Sequence, residues 1–266
     1  GLVGSEMCIR VRSIPEGALQ KIAREFNFSE VTFVYPPKDA GHTARVRIFT
    51  PTAEVQFAGH PTIGTAIALH DRGVPAQMVL ELGVGPIPCQ AGVWGARFTT
   101  SVPLQVFGHP APSLVARALN LPESSIRLDR HAPVQAGLGL AFVLVELASR
   151  ADLAQARPDV DAMAEGVAAP PASFDFATFC YVREGEAVQA RMFSPLDNVP
   201  EDPATGSATA ALAALLASLP GGPQRIVVRQ GEDMGRPSLI EAVVGPGGVT
   251  VTGQAVKVME GRLTYG

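Results

Sequence analysis

The feature that most constrains this chain is an internal repeat of two helix starts. The first reads Phe57-Ala-Gly-His-Pro-Thr-Ile-Gly-Thr-Ala-Ile-Ala-Leu69, and the second Glu201-Asp-Pro-Ala-Thr-Gly-Ser-Ala-Thr-Ala-Ala211. Laid over each other, they align His60 with Asp202, Pro61 with Pro203, Gly64 with Gly206, Thr65 with Ser207 and Ala66 with Ala208. Each copy follows a similar strand ending, Arg47-Ile-Phe-Thr-Pro51 and Arg191-Met-Phe-Ser-Pro195. The unit is therefore expected to run strand, Pro-broken loop, polar residue, Pro in the first helical turn, then an apolar helix. Two copies suggest two similar halves facing each other rather than a solenoid, which needs about three repeats or more.

Such a unit suits anion binding. A helix start leaves about four backbone N–H groups without partners and carries about half a positive charge. Pro fits the first turn because it has no N–H to leave unpaired. Gly64 and Gly206 would let the backbone approach a ligand. If the halves pack face to face, the two starts converge on one cleft and hold a carboxylate. Pro and small residues also mark ordinary helix starts, so one copy would say little. Two copies, each with a titratable residue at the same place, favour a site.

Composition narrows the alternatives. The 266 residues fit two domains of about 130 or one large one. Apolar residues make up 47% and charged residues 17%, ample for a core. The net charge is −4 and no basic stretch occurs, which argues against a nucleic-acid partner. The most apolar run, 208–219, is shorter than the roughly 20 residues a membrane span needs, and no signal peptide is visible. Cys8, Cys89 and Cys180 are odd in number and far apart, so no disulfide framework is indicated and a cytoplasmic location is expected. His42, His60, His70, His109 and His131 lack metal-ligand spacing. Lys21, Lys38 and Lys257 offer no distinctive Schiff-base anchor, and no nucleotide-binding glycine loop is present.

Read in order, residues 1–12 show no clear period. Ser13-Ile-Pro-Glu16 is a capping box, and Leu19, Ile22, Ala23 and Phe26 recur at helical spacing up to Asn27. Strands are expected at 31–35 and 43–50, the first motif helix at 61–71, and strands near 77–82, 93–101 and 103–107. Gly108-His-Pro-Ala-Pro112 is the expected domain boundary. The second half is expected to hold helices at 113–119, 151–155 and 159–167 and buried strands at 138–147 and 177–182. A loop at 169–172, a strand at 188–193 and a loop at 197–201 follow. The second motif helix is expected at 203–218, and its lack of a polar face after Thr209 implies near-complete burial. Strands at 224–229, 238–244 and 248–258 close the chain, with 230–238 as a connection.

Four stretches together carry a family resemblance: Ile22-Ala-Arg-Glu-Phe-Asn-Phe-Ser-Glu30, Phe57-Ala-Gly-His-Pro61, Glu201-Asp-Pro-Ala-Thr-Gly-Ser207, and Gln230 through Ser238. In this order and spacing the chain resembles the PhzF-like isomerases of phenazine biosynthesis, relatives of diaminopimelate epimerase. The resemblance implies an α/β (α+β) fold of two pseudo-symmetric, diaminopimelate-epimerase-like domains, each a curved, mostly antiparallel sheet around a central helix. On that basis 1–108 is the N-terminal domain, 109–258 the C-terminal one, and 259–266 a tail able to pair back onto the first. The family's acid/base Glu follows Asn-x-Ser and matches Glu30. Its Ala-Gly-His-Pro histidine matches His60, and its Asp-x-Ala-Thr-Gly-Ser aspartate matches Asp202. Ser29, Gly59, Thr205, Gly206 and Ser207 are the substrate-binding positions that follow from the same motifs. The type member isomerises a dihydro-hydroxyanthranilate, moving a proton between ring carbons without metal or organic cofactor.

Taken alone, each residue has an ordinary alternative. Glu30 could be an exposed charge at a helix-to-strand turn, His60 a cap or a satisfied core histidine, and Asp202 an N-cap. The set is what points to chemistry. Two departures stand out. The family's opening strand, Asp-x-Phe segment and Gly-Asn-Pro turn are missing, and the first ten residues look like translated sequencing-adaptor DNA. Residues 1–12 are therefore read as non-native, outside the core, leaving the first sheet with an unpaired edge. The paired catalytic cysteines of the epimerase and racemase relatives are also absent from the motif helix starts, which disfavours a two-thiol racemase.

The first functional reading is a cofactor-independent isomerase acting by acid/base proton transfer on a small carboxylate. The alternatives are an amino-acid epimerase with a carboxyl base and a non-catalytic anion-binding homologue. The expected partner is a small carboxylate-bearing molecule, with no nucleic acid, no membrane and no metal; self-association as a homodimer is left open.

Overall fold

The structure is a computed structural model, and it describes residues 2–3, 6–10, 14–168 and 175–264. The cap expected from Ser13 and the loop expected at 169–172 lie outside the described residues. The first half contains β1 (Leu2–Val3), β2 (Glu6–Arg10), α1 (Leu19–Phe26), β3 (Glu30–Tyr35), β4 (Ala44–Phe49) and β5 (Glu54–Val55). It continues with α2 (Gly59–His70), β6 (Gln77–Leu82), β7 (Gly85–Gly92) and β8 (Gly95–Thr100). The second half begins with β9 (Gln105–Gly108), α3 (Pro112–Ala118), β10 (Val134–Gly137), β11 (Ala141–Glu146), α4 (Arg150–Gln155) and α5 (Val160–Ala168). Next come β12 (Thr178–Glu184), β13 (Ala187–Ser194), β14 (Val199–Asp202) and α6 (Gly206–Ser218). The chain ends on β15 (Arg225–Gln230), β16 (Ser238–Gly245), β17 (Gly248–Gly253) and β18 (Ala255–Val256).

The repeat seen in the sequence becomes a repeat of sheet pairing. β8 and β17 meet antiparallel at the middle of a sixteen-stranded sheet, with Phe98 opposite Val251. Outward from that seam the order is β7, β6, β4, β3, β2 on one side and β16, β15, β13, β12, β11 on the other. The pairing senses match step for step. β4 runs parallel to β6 as β13 does to β15. β3 lies antiparallel to β4 as β12 does to β13. β2 runs parallel to β3 as β11 does to β12. Short β5 pairs with β4 as β14 pairs with β13. Beyond β11 the second half adds β10 and β9, so Gln105–Gly108 pairs within that half.

The two motif helices fill the inside. Residues 59–66 of α2 and 206–213 of α6 are all buried, as expected for helices without a polar face. Ile63 and Ala66 of α2 join Ala208, Leu212 and Leu216 of α6, with Leu80, Phe98, Phe179 and Val251 of the sheet, in one hydrophobic cluster. Smaller clusters cover the other face. Leu19, Ile22 and Ala23 of α1 pack on Phe33 and Phe49, and α3 to α5 pack on Val143, Val145 and Cys180. β11 is thus buried on both faces, which is why residues 141–145 read as a continuous apolar run.

Three expectations are corrected. First, Glu6–Arg10 does contribute: β2 lies along β3, and Met7 and Ile9 pack against the α1 cluster. The edge of β3 offers unpaired backbone groups, and an alternation of two apolar residues suffices to fill it. Secondly, residues 85–92 form a strand despite Pro86 and Pro88. Both prolines pair with β6 only, because the ladder to β8 begins at Cys89, so on that side no N–H is missed. Thirdly, α6 begins at Gly206 rather than at Pro203, and 199–202 is a strand rather than a loop. Asp202 pairs with Met192, so the chain stays extended to Asp202 and turns before the helix. The N-cap of α6 is Thr205 and that of α2 is Ala58. Neither Asp202 nor His60 is a cap.

Candidate functional site

Glu30 is delivered by a helix ending. α1 stops on Asn27 in left-handed conformation (φ 51), which reverses the chain and sets Ser29 and Glu30 at the start of β3. Asn27 also accepts a hydrogen bond from the Asn198 side chain across the halves, at 3.3 Å. Beside it, the Thr52 hydroxyl donates to Asp197 at 2.6 Å. These bridges hold the segment leading into β14 against the segment leading into β3 and against the turn between β4 and β5.

His60 lies in the first turn of α2, and its Nε2 faces Glu30 Oε2 at 2.9 Å. The side chains are 4% and 15% exposed, so the pair is largely shielded from water. The structure thus brings Glu30 and His60 together. The two helix starts also converge. An added Cβ on Gly59 would lie 2.8 Å from both the Gly206 carbonyl carbon and the Ser207 nitrogen. Two sets of N-terminal N–H groups and two positive dipole ends are therefore side by side, an arrangement that favours an anion. Ser207 is buried, and Ser29 is half-buried next to Glu30.

Asp202 is 4% exposed. The Thr205 hydroxyl donates to its Oδ2 at 2.6 Å, while its Oδ1 is buried with no hydrogen-bond partner among the described residues. The strand that carries it is clamped by the repeated arginine. Arg191 donates through two nitrogens to both Glu201 oxygens at 2.8 Å each, and Arg47 does the same to Glu54 at 2.7 and 2.6 Å. A bidentate fork of this kind fixes direction as well as distance. Both arginines also lie over the phenylalanine two residues on, Phe49 and Phe193.

Gln230 had a place in the motif but no role in the sequence reading. It is buried against Asp202 and Thr205. Its neighbours in sequence, Arg229 and Gly231, gave no sign of that, since a polar residue ending a strand looks solvent-facing. Burial pushes the Cys89 and Cys180 thiols up to about 12, which disfavours thiolate chemistry at either. A surface cavity of about 640 Å³, lined by Lys38, His42, Arg45 and Glu81 among others, shares no residue with this set. Among the described residues, no helix is long and apolar enough to cross a membrane.

A family profile described as phenazine biosynthesis-like protein, PhzC-PhzF, matches residues 7–261, a span that holds Glu30, His60 and Asp202 together. The chain belongs to that family. It is an isomerase by the company it keeps. It is 37% identical to the trans-2,3-dihydro-3-hydroxyanthranilate isomerase of Pseudomonas aeruginosa over 92% of this chain and 87% of that one. An uncharacterized isomerase of Mesorhizobium japonicum is 36% identical, over 92% of this chain and 88% of its own. Among solved structures, a predicted epimerase from Pseudomonas aeruginosa superposes with a TM-score of 0.75 at 27% identity, covering 94% of this chain and 88% of that one. A hydroxyproline epimerase from Agrobacterium vitis shares the PhzC-PhzF chain's fold at a TM-score of 0.57 and 19% identity, covering 85% of this chain and 71% of its own.

Proposed function

We propose that this isomerase moves a proton between two carbons of a small carboxylate-bearing substrate, using its own side chains and no cofactor. Glu30 is the acid/base. It removes a proton from one carbon, the electron pair shifts along the adjacent unsaturation, and the Glu30 carboxyl, after exchange with solvent, delivers a proton at another carbon. The observation that carries this reading is the largely shielded Glu30–His60 pair beside the junction of two helix starts. A carboxyl group held in one orientation, within reach of the substrate and shielded from water, suits general acid/base work. His60 supplies the orientation.

The helix starts at Gly59, Gly206 and Ser207 would receive the substrate carboxylate, with Ser29 and Thr205 at the margins. The open Asp202 Oδ1 would accept an N–H or O–H from the substrate. The molecule named for the Pseudomonas aeruginosa relative has these features: an anthranilate carries an amino group beside its carboxylate, and this one carries a hydroxyl as well.

The test is incubation with trans-2,3-dihydro-3-hydroxyanthranilate in deuterium oxide, followed by NMR. The expected product is an isomer carrying deuterium at a newly protonated ring carbon. Absence of both turnover and exchange would overturn the proposal. The likeness to a predicted epimerase favours a second reading, epimerisation at one carbon by a carboxyl base; deuterium at the original carbon with inversion, on an amino or hydroxy acid, would select it.

A further inference from the structure

We infer that Gln230 is a positioning residue that decides which oxygen of Asp202 remains open to the substrate. The inference rests on the placement of Asp202 in the site. Gln230 is 1% exposed, and its carboxamide is spent on one turn. Its Oε1 accepts from the Thr205 N–H at 3.0 Å, and its Nε2 donates to the Asp202 carbonyl at 2.7 Å and to Thr205 Oγ1 at 2.8 Å.

The orientation of that carboxamide is dictated by backbone. An N–H only donates and a carbonyl only accepts, so oxygen must face Thr205 and nitrogen must face Asp202. The consequence passes to Thr205. Its hydroxyl oxygen already accepts from Gln230, and its single proton is left to donate to Asp202 Oδ2, 2.6 Å away. One carboxylate oxygen is thereby occupied, and Oδ1 is the one left buried and open. The direction of every bond in this relay follows from the first.

The connection after Gln230 holds it in place. Gly231 has φ +77, and an added Cβ there would lie 2.3 Å from the Arg236 carbonyl and 2.9 Å from the Pro203 carbonyl. Ser238 donates to the Pro203 carbonyl at 2.7 Å. Residues 230–238 thus grip the turn between Asp202 and Thr205 from two sides. In the first half His60 faces Glu30 directly, so the relay belongs to the Asp202 side of the site.

The experiment uses the full chain with Gln230→Met, which keeps length without donors, Thr205→Val, and the double variant. With trans-2,3-dihydro-3-hydroxyanthranilate as probe, each single change should lower kcat by about 10²-fold, the scale of a misplacement of about 1 Å. KM should change far less, and the double variant should be no worse than either single one. Thr205→Ser, which keeps the hydroxyl, should recover at least about tenfold over Thr205→Val, a substantial part of the roughly 10²-fold misplacement loss. Independent losses that multiply, or normal kcat in folded Thr205→Val, would overturn the inference. A substrate-free readout separates it from the proposed reaction. The Thr205 hydroxyl proton should be protected from exchange in NMR spectra and lose protection in Gln230→Met. If the wild-type protein does not turn over the probe, the reaction is wrong, and this proton alone decides the role of Gln230. A freely exchanging hydroxyl in the wild type would refute it.

Discussion

Gly59 and Gly206 touch backbone to backbone, so closely that a methyl group on Gly59 would sit 2.8 Å from the Gly206 carbonyl carbon. The reverse addition is milder, since a Cβ on Gly206 would lie 3.4 Å from Gly59. Gly59→Ala should therefore push the helix starts apart. Overpacking of this kind costs about 1–3 kcal/mol, and each kcal/mol lowers Tm by roughly 2–4 °C in a chain of this size class. Gly206→Ala should cost less. Thermal denaturation of both variants checks the order, and equal losses would contradict the close approach.

Glu30→Gln keeps shape while removing the titratable group. Turnover should fall by about 10²–10⁴ with Tm little changed, as for loss of a general acid/base. A folded Glu30→Gln protein with near-normal turnover would transfer the role to Asp202.

The two arginine clamps occupy equivalent places but unequal surroundings. Arg191 is 6% exposed and also donates to the carbonyls of Leu153 and Ala156 at the end of α4, whereas the Arg47 side chain is 17% exposed and Glu16 beside it is open to water. Arg191→Met leaves Glu201 and those carbonyls without a donor, a loss of about 3–5 kcal/mol. Arg47→Met should cost about 1 kcal/mol or less. Urea denaturation of the two variants measures the contrast.

Deleting residues 1–10 removes the strand that pairs with β3 and the cover that Met7 and Ile9 give the α1 cluster. The truncated protein should melt several degrees lower and aggregate more readily through the exposed edge. An unchanged Tm would show that the strand adds no stability.

Glu81 should govern part of the acid sensitivity. Its carboxylate accepts from the N–H groups of Asp39 and Lys38 and from His42, which holds it down to about 2 from an ordinary value of 4.5. A depressed carboxyl contributes stability that is fully present above its unfolded value and is lost as pH falls through the folded one. The contribution should therefore disappear between about pH 4.5 and pH 2. Glu81→Gln should flatten the stability profile in that window.

The sequence by itself determined the repeat, the burial of both motif helices and the residue types of the site. Those are local properties. An Ala/Leu helix without a polar face has to be enclosed, and a pattern copied in the chain is copied in the sheet, down to the pairing of β4 with β6 and β13 with β15. Tertiary structure alone decided the rest, because it turned on partners distant in sequence. Pro86 and Pro88 are tolerated in β7 only because β8 joins the ladder after them. Glu6–Arg10 becomes a strand because β3 offers it an edge. Asp202 belongs to a strand because Met192 pairs with it, and Gln230 reaches it from 28 residues away. No local pattern in the chain contains that hydrogen bond; its donor and acceptor meet only when the second half has closed around α6.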